Sequence, residues 1–226
     1  MSAGAALFRV YRPILLPFAG IVVVVHAIIT SIVASHGEMN FSMWLVLIGS
    51  ATKYWLFVVG IMLVAMQLRQ FVTNGVTRHE FLAAVGAFGL TMSASFAAAV
   101  VLGHQAESLA LEAFGARGPD YPTLTLGGMV AEFGHVLPVT AGYFVSGGLI
   151  AIGFYRWRAW IGLVVMLAGA IPAAAADGLL GINEFGDLPH RLPYAAALAI
   201  SVAATAIGAA AFHRAMSDVP IRRTAG

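Results

Sequence analysis

The sequence predicts an all-α integral membrane protein that crosses the bilayer six times, with both termini cytoplasmic. Three observations predict it. The 226-residue chain is 60% hydrophobic and only 10% charged, with a mean hydropathy of +0.89, whereas a soluble domain is about a quarter charged. Six apolar stretches each approach the roughly 20 residues that a helix needs to cross about 30 Å of hydrocarbon. The arginines, finally, fall on alternate connections between those stretches.

In chain order the spans are expected at about residues 14–35, 43–68, 81–103, 129–155, 160–180 and 192–212. They leave a short N-terminal interfacial segment, 1–13, and a C-terminal tail, 213–226. The first apolar run is too long for a cleaved signal peptide, and no small-residue cleavage site follows it cleanly. Within the fifth stretch, Pro172 frees a backbone carbonyl and favours a broken or re-entrant helix.

Orientation follows from the basic residues. Arg9, Arg12, Arg69, Arg78, Arg156, Arg158, Arg214, Arg222 and Arg223 share one side, and only Arg117 and Arg191 lie on the other. The side with the excess is read as cytoplasmic. The opposite connections are acidic, with Glu38, Glu107, Glu112, Asp120, Glu184 and Asp187. In the longest of them, Leu109, Leu111 and Phe114 are expected to form a short helix on the membrane surface, ended by Gly118-Pro119-Asp120. Abundant alanine, glycine and arginine beside a single lysine point to a GC-rich bacterial genome, hence to the bacterial cytoplasmic membrane.

Other classes are excluded by absence. There is no cysteine, so disulfides, thiolate metal sites and cysteine nucleophiles are ruled out. No stretch reads as a P-loop or a dinucleotide fingerprint, and six spans leave no room for a sizeable soluble domain. No internal repeat at a fixed period appears, which removes the sequence support for an inverted-repeat transporter. The chain alone is expected to be no enzyme, with no catalytic residues, no metal site, no cofactor of its own and no nucleic-acid partner.

The segment between the second and third spans, Arg69-Gln70-Phe71-Val72-Thr73-Asn74-Gly75-Val76-Thr77-Arg78-His79-Glu80-Phe81, reads as a short helix, a glycine turn and the start of a long helix. Gly75 permits a positive φ, and Thr77 with Glu80 has the spacing of a capping box. An ordinary interhelical loop would satisfy the same pattern. The stretch also resembles the coupling-helix region of ABC-2 type transporter permeases, which typically carry Gly-hydrophobic-Ser/Thr-Arg-x-x-Phe; here the matching residues are Gly75, Val76, Thr77, Arg78 and Phe81. Six helices, inside termini and a basic, aromatic start (Phe8, Arg9, Tyr11, Arg12) are similar to the type V exporter plan of that family. The resemblance implies a permease subunit, with a second copy or a sister permease completing the pathway. It also implies that a separate ATP-binding subunit, holding ATP and magnesium, docks on Phe71, Asn74, Gly75, Val76, Thr77, Arg78 and Phe81. Phe71, Val76 and Phe81 would then supply apolar contact and Arg78 a charged anchor. Export of an amphipathic small molecule, peptide or lipid-like substrate follows by the same analogy.

Lys53 lies about ten residues inside the second span, where a cation costs at least about 2.5–3.5 kcal/mol unless paired or hydrated. Its candidate partners are Glu132 and Asp177, and either pair would line a translocation route or fix helix packing. Seven histidines raise a different reading, a haem-binding membrane redox protein of the cytochrome b kind. His26 has no companion at its depth; His36, His104, His135 and His190 fall toward the outer side, His79 and His213 toward the inner. The single Glu132-x-x-His135 pair is half of the doubled signature that builds carboxylate-bridged metal sites. A scaffold that moves nothing is the third reading.

Overall fold

The computed structural model describes residues 3–183, 185–187 and 192–217. Expectations that rest on Glu184, His190, Arg191, Arg222 and Arg223 lie outside the described residues. The elements are α1 (Ala3–Ala34), α2 (Met43–Met62), one π-helical turn (Leu63–Gln67), α3 (Leu68–Thr73), α4 (Arg78–Ala113), α5 (Leu126–Arg156), α6 (Ala159–Gly169), α7 (Ile171–Leu180) and α8 (Tyr194–Ser217). They make six runs long and apolar enough to cross a membrane, with α2, the π-turn and α3 forming one and α6 with α7 another. This is a multi-pass, all-helical membrane fold.

The helix ends follow local chemistry. Ser42 caps α2 by accepting from the Leu45 N–H, and Thr125 caps α5 by accepting from Gly128, so orphan first-turn donors are satisfied. Between α6 and α7 the chain is interrupted at Ala170, and Pro172 falls in the first turn of α7, where its missing N–H is harmless. The break expected in the fifth stretch is therefore present.

Helix α5 is the hub, packed against α2, α4, α6, α7 and α8. Its contact with α2 is backbone to backbone. A Cβ on Gly147 would strike the Phe57 carbonyl, and one on Gly60 would strike the Phe144 carbonyl. Small residues permit this approach in a bilayer, where van der Waals contact replaces the hydrophobic effect as the force between helices. The main core sits in the half nearer the termini. Tyr11, Trp55, Phe88 and Phe96 interlock there, with ring centroids 5.3 Å apart for Tyr11–Phe88 and 5.2 Å for Trp55–Phe96. Leu90, Leu102, Leu167 and Ile207 point outward, as lipid-facing side chains should.

Two expectations are corrected. Residues 3–13 are no separate interfacial segment, because α1 is continuous through Pro13 and Pro17 and buries Leu7 and Tyr11 in the main core. Nor does a surface helix form around Leu109–Phe114. Instead α4 runs on to Ala113, and its 36 residues reach about 54 Å, well beyond the hydrocarbon. Leu111 turns inward against Met39 and Tyr121. The helix then stops at Gly115, with φ +66°, before Gly118 is reached.

Connectivity puts Arg9, Arg12, Arg69, Arg78, Arg156, Arg158 and Arg214 at the end of the bundle that carries the termini. Arg117 lies at the opposite end, under the long loops.

Candidate functional site

Two constellations stand out, one at each end of the bundle. At the terminal end the helix–turn–helix of residues 68–81 is held from both sides. Gly75 has φ +85°. Asn74 Nδ2 donates to the Gln70 carbonyl at 2.7 Å, and the Val76 N–H returns to the Phe71 carbonyl at 3.1 Å. The capping box is complete: Glu80 N–H donates to Thr77 Oγ1 at 3.2 Å, and Thr77 N–H donates to Glu80 Oε2 at 2.9 Å. Arg78 Nη1 donates to the Ser217 carbonyl at 2.9 Å and so ties the turn to the end of α8.

Phe71 and Phe81 are both buried, with centroids 5.4 Å apart. They root the turn in its own core and present no docking face, which corrects the contact role expected of them. Arg78 likewise spends a donor inside the chain. What the tip exposes is Thr73, Asn74, Gly75, Thr77, His79 and Glu80, with Val76 half-buried.

The second constellation lies under the loops. Lys53 Nζ reaches Asp177 Oδ1 at 2.9 Å and Oδ2 at 3.0 Å, and the Tyr143 hydroxyl donates to Oδ2 at 3.0 Å. The ammonium lies 5.5 Å from the Tyr143 ring centre and 5.7 Å from that of Tyr54, close enough for cation–π attraction. The pair is partly open, at 18% and 31% side-chain exposure, and lines a crevice of about 60 Å³ with Ser50 and Thr140. Of the two candidate partners for Lys53, the structure selects Asp177.

Glu132 faces the other way, toward α4. Its Oε2 lies 2.9 Å from His104 Nδ1, and the two side chains are only 5% and 1% exposed. Glu132 Oε1 and His104 Nε2 are buried with no hydrogen-bond partner. Three residues along α4, Glu107 is buried too. It accepts from Ser42 Oγ at 2.5 Å, the Tyr121 hydroxyl at 2.7 Å and the Trp44 N–H at 3.1 Å, with His26 Nε2 at 3.7 Å. Burial pushes the Tyr121 hydroxyl well above its ordinary range, so it remains a neutral donor to the carboxylate.

Sequence reasoning missed Glu107 by assigning it to an acidic surface loop. A partial signal was available: the His104-x-x-Glu107 spacing puts both side chains on one face of α4, where His104 meets Glu132 of α5 and Glu107 meets His26 of α1. The other histidines are dispersed. His135 Nδ1 lies 3.2 Å from the Leu180 carbonyl, His36 Nδ1 2.8 Å from the Ile32 carbonyl, and the His79 and His213 ring centres are 6.2 Å apart. Among the described residues, no three histidine or carboxylate side chains converge as a metal site. No family model matches the chain, and no match was found among curated proteins or solved structures.

Proposed function

We propose that the chain is the transmembrane permease subunit of an ATP-driven transporter of the ABC-2 type. In this reading it sits in the bacterial cytoplasmic membrane with both termini inside, as the arginine excess at that end favours. A separate ATP-binding subunit, with its ATP and magnesium, docks on the exposed tip around Asn74–Thr77. A second copy or a sister permease completes the pathway, through which an amphipathic molecule, peptide or lipid-like substrate is exported.

The carrying observation is the build of the 68–81 turn. It is short, doubly capped, rooted by Phe71 and Phe81 and tied to α8 through Arg78, while its tip stays exposed. Such a piece transmits a push as a rigid body instead of absorbing it. It also continues directly into the π-turn and α2, which carries Lys53. A displacement of the tip would therefore reach the Lys53–Asp177 contact between α2 and α7, where a bidentate pair opening onto a crevice can be exchanged for contact with water or cargo. The chain performs no covalent chemistry in this scheme, and hydrolysis belongs to the partner.

The test is co-purification from the native host in mild detergent, followed by mass spectrometry of stoichiometric partners. A P-loop ATPase should accompany the wild type and be lost from an Asn74→Arg/His79→Glu variant, which changes only exposed tip residues and leaves Phe71 and Phe81 in place. A monodisperse wild-type protein that brings down no ATPase would sink the permease reading.

A further inference from the structure

An apolar groove of about 680 Å³ runs between α5, α6–α7 and α8, away from both constellations above. Its α8 wall extends from Ile200 to Ala215, fifteen residue steps or about 22 Å along the axis. That exceeds the roughly 15 Å depth of one hydrocarbon leaflet. Small side chains (Ala203, Ala204, Gly208, Ala211) form its floor, so the groove is a channel for a slender apolar chain. Its end nearer the termini is marked by Trp157 and Ala215.

That end is basic. Arg156 and Arg158 flank Trp157, and Arg214 precedes Ala215. The Arg156 guanidinium lies 5.3 Å from the Trp157 ring centre and spends Nη1 on the Ala215 carbonyl at 2.7 Å, which leaves further N–H donors on the same fork. Arg158 and Arg214 are exposed. Among the described residues, the only carboxylate at this end of the bundle is Glu80, already committed to Thr77. A tryptophan under an arginine at the end of a membrane helix marks headgroup depth.

We infer that this groove is a binding site for an anionic phospholipid, with an acyl chain along α8 and the phosphate held by Arg156, Arg158 and Arg214. Charge complementarity at the mouth selects the lipid over a second copy of the chain, whose corresponding end is equally basic and would be repelled. The site stands independently of the permease reading.

Native mass spectrometry of the purified protein, titrated with phosphatidylglycerol or phosphatidylcholine of matched acyl chains, tests it. Phosphatidylglycerol should bind more tightly to the wild type, and the preference should fall roughly ten- to thirty-fold in Arg158→Gln/Arg214→Gln. That variant spares Arg156 and its tie to α8. Ala211→Phe, which fills the groove from an exposed position, should abolish binding of both lipids while thermal unfolding shows the fold intact. Equal binding of the two lipids by the wild type would overturn the inference. So would stabilisation by inorganic phosphate alone equal to that by phosphatidylglycerol, or an Ala211→Phe effect confined to the oligomeric state.

Discussion

The half of the bundle that carries the termini is packed with apolar and aromatic side chains, whereas the half under the long loops keeps its titratable groups inside. In the first, Tyr11, Trp55, Phe81, Phe88 and Phe96 fill the interior and the arginines stand at the rim. In the second, apolar packing shrinks to small clusters such as Val139, Ala176, Leu180 and Ala197, and Lys53, Asp177, His104, Glu107 and Glu132 take the inner positions. Close-packed rings resist deformation and move together, while polar pairs have discrete alternatives in water, in one another or in a ligand. The terminal half is thus packed as one body, and the loop half is held by polar pairs.

The loop half should break most sharply at Asp177. Replacing it with asparagine leaves the Lys53 ammonium inside the bundle without its counter-charge, and stability should fall by about 3–5 kcal/mol, toward the low end because the pair is partly exposed. Lys53→Met/Asp177→Leu should recover most of that loss, since a fully apolar pair has no charge to strand. Equilibrium unfolding in mixed micelles reads both, and a double variant as weak as the single would mean that the pair is structural glue and not an exchangeable contact.

Phe88→Ala probes the other half. Phe88 is fully buried, with the Tyr11 and Phe8 rings 5.3 and 4.9 Å away. A soluble core would lose about 3–5 kcal/mol. Here about 2–3 kcal/mol is expected in the same unfolding assay, because lipid offers the exposed side chain as good a solvent as the core and only packing is lost. A loss below about 1 kcal/mol would show that the aromatic half is looser than its geometry implies.

The six spans were legible because hydropathy integrates over about 20 residues and outvotes any local irregularity. The turn at Gly75 was legible too, since a positive φ and the Thr77–Glu80 box are coded within a few positions. Side-chain partnership was not. Lys53 and Asp177 are 124 positions apart, and nothing in the sequence states that α7 faces α2 while α5 turns Glu132 toward α4. Glu107 was misread because the charge count treats a carboxylate near a span end as loop. Its three neutral donors come from Ser42, Trp44 and Tyr121, in two separate stretches of chain, and appear only once those stretches fold against α4. The packing of the turn was not legible: Phe71 and Phe81 look like contact residues in sequence, and become foundations once α3 folds back on α4.

The smallest expected effect sharpens the contrast inside the loop half. Glu132→Gln removes a carboxylate that is more deeply buried than Asp177, and a simple count of buried charge would predict the larger penalty. The opposite is expected, a change within about 1 kcal/mol in the same micelle assay. The glutamine amide can still hydrogen-bond the His104 ring across the same 2.9 Å contact, whereas asparagine removes the two-oxygen seat of the Lys53 Nζ. Glu132 also carries an oxygen with no partner, and removing its charge relieves that desolvation. A loss matching that of Asp177→Asn would mean that the Glu132 charge, and not the hydrogen bond alone, holds the contact with His104, and the two halves of this polar seam would then obey the same rule.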